Sequence, residues 1–132
     1  MKIDKALLLL LLSFNVQAGN FPVEIIEQFD NARVVAFIKD ADLKSAPVWQ
    51  PLAGPPPVTI AAAIEAVKTH RFKGVGQEGP FMVEEIELRK ISAHDDHWHY
   101  LIKTKEGEAT RYYVVLMNGN VIPAVREPEA YK

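Results

Sequence analysis

The chain has 132 residues, with 15 Lys+Arg against 17 Asp+Glu, no Cys and 48% hydrophobic residues. That length fits one small domain, and the apolar and charged fractions argue against a collagen, a disordered tail or a coiled coil. The formal net charge of −2 argues against nucleic acid as the main partner, because phosphate binding needs a surplus of basic residues.

Residues 1–18 have the three-part form of a secretory signal peptide. A weakly basic start is followed by an unbroken apolar run at 6–12, and Val16 and Ala18 occupy the −3 and −1 positions of a cleavage site. The run is too short to cross about 30 Å of hydrocarbon. We therefore expect an exported protein, periplasmic or secreted, without an integral membrane anchor; a buried amino-terminal helix is the alternative. Without Cys, the exported domain depends on its core alone.

Residues 19–57 are predicted to form an amino-terminal arm and a proline-rich connector. Large apolar residues recur at every fourth position in the stretch Phe21 to Phe29, which favours a short amphipathic helix over residues 21–30. The β-prone apolar run at 34–38 predicts a strand. The prolines of 45–57 fit neither a helix nor a central strand, so we expect a stiff extended joint there. Recognition of these prolines by a partner is the alternative.

Residues 58–132 are predicted to hold the main helix and an antiparallel sheet. Thr59 is placed to cap a helix that runs from Ile60 to about His70. Its apolar stripe at helical spacing consists of Ile60, Ala63, Ile64 and Val67. The stretch 74–79 matches G-x-G-x-x-G, but it follows a helix and precedes a strand, so we interpret it as a loop rather than a dinucleotide site.

Four strands are predicted after that loop, over residues 81–93, 97–105, 110–117 and 120–125. A bulge is expected in the first of them, because Ile86 and Leu88 share one parity and Ile91 has the other. With the strand at 34–38, the pattern predicts an α+β fold. One main helix packs on a four- to five-stranded antiparallel sheet, next to a short N-terminal helix/strand arm.

Two turns set the predicted register of the sheet. Asn118 and Gly119 are typical of a two-residue type I′ turn, in which both residues have positive φ. A second turn is predicted at 106–107. Together the turns set Val115 opposite Ile122 and Tyr100 opposite Tyr113.

This register sorts the side chains onto two faces. One face, expected to bury the helix, holds Trp98, Tyr100, Ile102, Tyr113, Val115, Met117 and Ile122. The other holds His97, His99, Leu101, Tyr112, Val114, Leu116 and Val121, and it is too apolar to lie bare in water. Either the amino-terminal arm covers it or a second molecule does. The candidate partner-binding residues, for a protein partner or a homodimer, are therefore Leu101, Tyr112, Val114 and Leu116.

The densest polar group is the run from His94 to His99. If Asp95 and Asp96 form a hairpin turn, His94 and His97 face each other across two strands, with His99 on the same face. Imidazole and carboxylate groups at that spacing can hold Zn²⁺ or Cu²⁺. The candidate ligands are His94, Asp96, His97 and His99, and a solvated turn is the alternative.

No catalytic motif is found in the sequence. It has neither G-x-S-x-G nor H-E-x-x-H, and it has no Cys nucleophile. Glu84, Glu85 and Glu87 are candidates for paired carboxylates, but they fit the solvated side of a strand better. We therefore expect no enzymatic activity, and no cofactor apart from the metal of the alternative above.

Two segments carry a family resemblance: VTIAAAIEAV at 58–67 and YYVVLMNGNVI at 112–122. With the hairpins between them, they resemble the PepSY family of small exported α+β modules over residues 58–126. The resemblance implies a domain that binds or restrains peptidases or serves as a periplasmic interaction domain, and it implies no catalytic residues. The element order is also similar to the cystatin fold, although the Gln-x-Val-x-Gly loop is missing. We therefore predict an exported, non-enzymatic binding protein of PepSY-like type. Binding of a divalent metal in the periplasm through residues 94–99 is the alternative function.

Overall fold

The computed structural model describes residues 23–29, 32–91 and 93–127. The predicted signal peptide lies outside these residues. The strands of the described chain are β1 (Val23–Phe29), β2 (Ala32–Ile38), β3 (Met82–Ile91), β4 (His94–Glu106), β5 (Ala109–Leu116) and β6 (Val121–Arg126). The helices are α1 (Asp40–Ser45) and α2 (Ile60–Phe72), and a short 3-10 turn lies between them at Pro51–Ala53.

The described strands form one antiparallel sheet in the order β1-β2-β6-β5-β4-β3. Strand β6 joins the two halves of this sheet, because its first residues pair with β5 while Val125 and Arg126 pair with β2. The main helix α2 packs on one face. The predicted α+β fold, with one main helix on an antiparallel sheet, is therefore confirmed.

The helix predicted over residues 21–30 is wrong, because β1 occupies residues 23–29 and pairs with β2 along its whole length. A spacing of four residues is also a multiple of the two-residue repeat of a strand, so the same pattern fits one face of a strand. An isolated helix this short is marginal in water, whereas the strand gains a ladder of hydrogen bonds.

Helix α2 begins where its sequence predicts. The side chain of Thr59 accepts a hydrogen bond of 3.1 Å from the backbone N–H of Ala62 and so caps the helix. Ala63 and Val67 of the predicted stripe are fully buried against the sheet. The helix continues to Phe72, and the glycine-containing stretch 74–79 is the loop that leads to β3.

The turn between β5 and β6 differs from the predicted two-residue turn. Val114 lies opposite Ile122, so the register is shifted by one residue. The N–H of Gly119 donates to the carbonyl of Leu116 at 2.9 Å, and only Gly119 has a positive φ, of 87°. This three-residue loop avoids the positive φ that a type I′ turn requires of Asn118. The shift turns Ile122 to the face opposite the one predicted.

The hairpin between β4 and β5 also has a different register from the predicted one. Glu106 pairs with Ala109, so the turn consists of Gly107 and Glu108, and Tyr100 lies opposite Val115 rather than Tyr113. Gly107 has φ 65° and takes the first turn position, which suits glycine in a type II′ turn. A shift of two residues leaves every side chain on its predicted face.

Strand β3 has the predicted irregularity, but not at the predicted place. Its register with β4 shifts between Val83 and Glu85, where β3 has one extra residue. A second shift, between Lys90 and Ile91, comes from extra residues in β4. Ile91 lies on the face opposite Ile86, as regular alternation requires, so its parity does not mark the bulge.

The sheet carries an apolar core on each face. The buried helix-face core contains Ala63, Val67, Tyr100, Ile102, Tyr113, Val115 and Met117. The buried reverse-face core contains Val34, Ala36, Ile38, Leu43, Ala46, Ile91, Leu101, Tyr112, Val114 and Leu116. Of the two predicted coverings, the chain's own β2–α1 segment is the one found, because Leu43 and Ala46 belong to the reverse-face core.

The four candidate partner-binding residues are therefore core residues. Leu101, Tyr112, Val114 and Leu116 are buried by their own chain, so a partner does not reach them in this fold. Their assignment to a partner surface is corrected on this ground. Neither described helix has the length and apolar character needed to span a bilayer.

Candidate functional site

The His-rich segment lies within β4 rather than in a turn. His94 pairs with Ile91, and Ala93, with φ 64°, belongs to the connection between β3 and β4. The predicted turn at Asp95 and Asp96 is therefore wrong, because the chain reverses before His94. His94 and His97 lie on one strand, with ring centroids 6.4 Å apart.

The residues after His94 form a bulge that the connector holds in place. Lys90 pairs with Trp98 while Ile91 pairs with His94, so β4 has extra residues at 95–97. The carbonyl of Asp96 accepts the N–H of Trp49 at 2.9 Å, and its carboxylate accepts the side-chain amide of Gln50 at 2.6 Å. Asp96 therefore has a structural role, because it holds the connector against β4.

The structure does not bring the predicted metal ligands together. His99 is fully buried, and the carboxylate of Asp96 is hydrogen-bonded to Gln50. Within the described residues, no group of three or more His, Cys, Asp or Glu side chains is arranged to hold a metal ion. Of the candidate ligands His94, Asp96, His97 and His99, only His94 and His97 form a ring contact with each other.

A buried carboxylate lies beneath the end of α2. The side chain of Glu106 is only 3% exposed and accepts hydrogen bonds from the hydroxyls of Thr104 (2.7 Å) and Tyr113 (3.0 Å). Arg71, in the last turn of α2, donates its Nε to the same carboxylate, and Nε of Arg111 lies 3.7 Å away. This cluster joins α2 to β4 and β5.

The donors around Glu106 set its ionisation. Burial by itself raises the pKa of Glu106, but the hydrogen bonds from Thr104, Arg71 and Tyr113 and the charge of Arg71 outweigh burial and lower that pKa. Burial, the hydrogen bond to Glu106 and its negative charge raise the pKa of Tyr113 to about 12. At neutral pH the carboxylate is ionised and the phenol is protonated, so the cluster acts as a structural tie.

The sequence patterns do not predict this cluster. They place Glu106 in a turn and indicate no contact between that residue and Arg71. The alternation of side chains along β4 does indicate the face on which the cluster lies, because Thr104 and Glu106 share the parity of Ile102 and so belong to the helix face. The contact with Arg71 could not be predicted, because no local pattern shows that the last turn of α2 lies above Thr104 and Glu106.

An apolar groove lies between the first turn of α2 and strand β3. It has a volume of about 500 Å³ and is lined by Pro56, Ile60, Ala61, Ile86, Leu88 and Tyr100, together with Thr59. Ile60 is 54% exposed and Leu88 is 37% exposed, so two large apolar side chains of the groove face solvent. Exposed apolar side chains in a concave site are typical of a binding surface.

The lining of the groove is suited to binding rather than to acid–base chemistry. It contains no Asp, Glu, His, Lys or Arg. Its titratable group is Tyr100, whose hydroxyl donates a hydrogen bond of 2.6 Å to the carbonyl of Val58 and whose pKa is raised by burial. The hydroxyl of Thr59 caps α2. A ligand therefore meets mainly apolar surface.

Strand β3 borders the groove and forms an edge of the sheet. Among the described strands it pairs only with β4, so its other side is open. Half of its residues are charged, namely Glu84, Glu85, Glu87, Arg89 and Lys90. Charges and bulges on an edge strand discourage indiscriminate pairing with other chains, while the main-chain groups of the edge stay open to a partner of matching pattern.

A second concavity, of about 620 Å³, lies between the end of α2 and the β5–β6 loop. His70, Lys73 and Asn120 are among its lining residues. It contains none of the residues predicted as sites, and its mixed polar lining does not form a focused cluster of ligating groups.

Comparison of the chain with protein-family models, with curated proteins and with solved structures found no match. The resemblance to PepSY modules over residues 58–126 stays a prediction.

Proposed function

We propose that this chain is an exported, non-enzymatic binding protein of PepSY-like type, and that it holds a polypeptide partner in the groove and along β3. One observation carries the proposal: a solvent-facing apolar groove lies directly beside the edge of β3, which pairs only with β4 among the described strands. A strand added to that edge gains main-chain hydrogen bonds, and its apolar side chains can enter the groove.

The polar clusters of the fold support binding rather than catalysis. Glu106, the carboxylate of the polar cluster, is held ionised by three side-chain donors and is therefore a poor general acid or base at neutral pH. The groove itself has an apolar lining in which the hydroxyl of Tyr100 is already used within the chain. Neither place offers a nucleophile next to a base.

The export part of the proposal rests on the sequence of residues 1–18. Its basic start, apolar run and small residues at the cleavage positions are the features that secretion requires. A chain without Cys also fits this picture, because the apolar cores on both faces of the sheet give the domain a means of stabilisation other than disulfides.

Metal binding, the alternative predicted from the His-rich segment, is not favoured by the geometry. His94 and His97 form a pair, but the carboxylate of Asp96 is engaged by Gln50 and His99 is fully buried. A stable site for Zn²⁺ or Cu²⁺ needs at least three converging ligands.

Site-specific photo-crosslinking tests the binding surface. A photoreactive residue replaces Leu88 in the groove, and a matched control replaces Val75, which is 52% exposed in the loop after α2. We expect the full-length protein, expressed in its own host, to give a discrete polypeptide adduct from position 88 and none from position 75. Equal adducts from the two positions, or none from position 88, contradict the proposal.

Cell fractionation tests the export part separately. We expect the protein in the envelope or the medium, with a mature amino terminus at Gly19. Retention in the cytoplasm with residues 1–18 still attached contradicts export. It does not affect the interpretation of the crosslinking experiment.

A further inference from the structure

We propose that the polypeptide at this edge is a second copy of the chain, paired antiparallel through β3 about a two-fold axis at Leu88. The inference rests on the proposed function, because it names the occupant of the same groove and edge. In such a dimer the two sheets continue into each other across the axis, and the interface is the same patch on both subunits.

The charges of β3 are complementary to themselves in this orientation. Acidic residues lie in its first part, at Glu84, Glu85 and Glu87, and basic residues lie near its end, at Arg89 and Lys90. An antiparallel second copy reverses the order, so that acidic and basic parts face each other. A parallel neighbour in the same register sets like charges side by side, which is destabilising.

The ion pair within β3 selects the register. Within one chain, Oε2 of Glu87 lies 2.5 Å from Nε of Arg89, and the two side chains share a face of the strand. A register centred on Leu88 places Glu87 of each copy opposite Arg89 of the other, which closes a ring of four alternating charges. A register centred on Glu87 instead sets two carboxylates directly opposite each other.

The apolar side chains fit the same register. Leu88 has the parity of Ile86, and both line the groove on the α2 side of the strand. At the axis, Leu88 meets Leu88 of the second copy, beside the half-exposed Ile60. The pairing therefore removes from water the apolar side chains that the groove exposes in a single copy.

Charge reversal with mixing tests this pairing. Analytical ultracentrifugation of the wild type is compared with Glu87→Arg and Arg89→Glu, and thermal unfolding confirms that each variant is folded. Either variant alone sets two like-charged pairs across the axis, and we expect the dimer dissociation constant to rise about tenfold. Glu108→Arg, a reversal at the exposed β4–β5 turn, is the matched control and should leave the constant unchanged.

Mixing the two variants separates the contact between copies from the contact within a chain. In the mixed dimer, the arginine introduced at position 87 of one variant lies opposite the glutamate introduced at position 89 of the other. The unchanged Arg89 of the first variant lies opposite the unchanged Glu87 of the second. We expect an equimolar mixture to form a heterodimer with an affinity close to that of the wild type. Repulsion within either chain is not relieved by mixing, so recovery identifies the contact as intermolecular.

Three outcomes overturn the inference. One is a wild-type monomer at every concentration up to ~1 mM. Another is a dimer that both single reversals leave unchanged, and the third is a mixture that does not recover. If Leu88 crosslinks to a different protein while the purified chain is monomeric, self-pairing is wrong and the proposed binding function stands. If the purified chain dimerises as expected but position 88 gives no adduct in cells, the proposed function fails instead.

Discussion

The hydroxyl of Tyr113 donates a hydrogen bond of 3.0 Å to the carboxylate of Glu106, across the β4–β5 hairpin. The same carboxylate receives Arg71 from the last turn of α2 and the hydroxyl of Thr104 from its own strand. One buried negative charge therefore links the helix to the hairpin on which it packs. Removing that charge while keeping the side chain's shape tests how much the link contributes.

We expect Glu106→Gln to lower the free energy of unfolding by about 2 kcal/mol, since hydrogen bonds to a charged group contribute roughly 1.5–3 kcal/mol. Glu108→Gln, at the exposed turn, is the matched control and should change stability little. Urea denaturation at neutral pH measures both. Equal stabilities of the two variants contradict a structural role for the cluster.

The acid dependence of stability gives a second test of Glu106. Its pKa is lowered in the folded state, so its contribution is fully present above the unfolded value of 4.5 and is lost as the pH falls through the folded pKa. We therefore expect the wild type to lose more stability than Glu106→Gln between about pH 5 and pH 3. Parallel curves for the two proteins would show that the carboxylate is not specially stabilised.

Tyr113 predicts a loss of stability at alkaline pH. Its pKa rises from 10.0 to about 12 on folding, so the folded state holds this proton more tightly. The resulting stability is present below pH 10 and is lost as the pH rises from 10 towards 12. We expect Tyr113→Phe to flatten this part of the curve and to remove the contribution of one tyrosine to the tyrosinate absorbance that appears near pH 12. An unchanged absorbance titration contradicts the assignment.

The reverse-face core predicts a large difference between two leucine substitutions. Leu116 is fully buried, whereas Leu52, in the 3-10 turn, is fully exposed. We expect Leu116→Ala to lower the free energy of unfolding by about 2–5 kcal/mol, because it leaves a cavity. Leu52→Ala should have an effect within about 0.5 kcal/mol. If Leu116→Ala were equally mild, the β2–α1 segment would not cover this face.

The loop between β5 and β6 predicts a difference between two glycines. Gly119 has φ 87°, whereas Gly76 has no positive φ, and a Cβ atom at either position meets nothing within 4 Å. Any effect of alanine at Gly119 therefore comes from backbone strain, which we expect to be about 1–2 kcal/mol. Gly76→Ala should be neutral or slightly stabilising. Equal unfolding midpoints for the two variants would contradict the three-residue loop.

Local patterns predicted the elements well and their long-range contacts less well. Thr59 and the apolar stripe of α2 fix the start and the buried face of that helix, whereas the parity of Ile91 is that of a regular strand and does not locate the bulge of β3. Asn118 and Gly119 fit both a two-residue turn and a three-residue loop. The structure has the three-residue loop, which includes the buried Met117. The spacing of residues 21–29 fits both a helix and a strand, so only pairing with β2 decides between them.

The groove could be predicted only in part. The alternation of apolar side chains along the strands predicts two apolar faces. It does not predict that Leu43 and Ala46, at the end of α1, cover the reverse face. The residues proposed for binding, such as Leu88 and Ile60, were assigned to a strand and a helix without any sign that they border one concavity. That relationship exists because the first turn of α2 and strand β3, which are distant in sequence, lie side by side in the fold.

The connector (residues 45–57) imposes an order of assembly on the chain. Leu43 packs in the reverse-face core and Val58 packs against the helix-face core, so the connector passes from one side of the sheet to the other. Within the connector, the backbone N–H of Trp49 donates a hydrogen bond to the carbonyl of Asp96, and the ring centroids of Trp49 and Trp98 lie 5.6 Å apart. The members of the reverse-face core that β4 and β5 supply, namely Leu101, Tyr112, Val114 and Leu116, are made later in synthesis than α1. The first half of the chain holds only part of either core, so we expect folding to be completed only after β5 has been made.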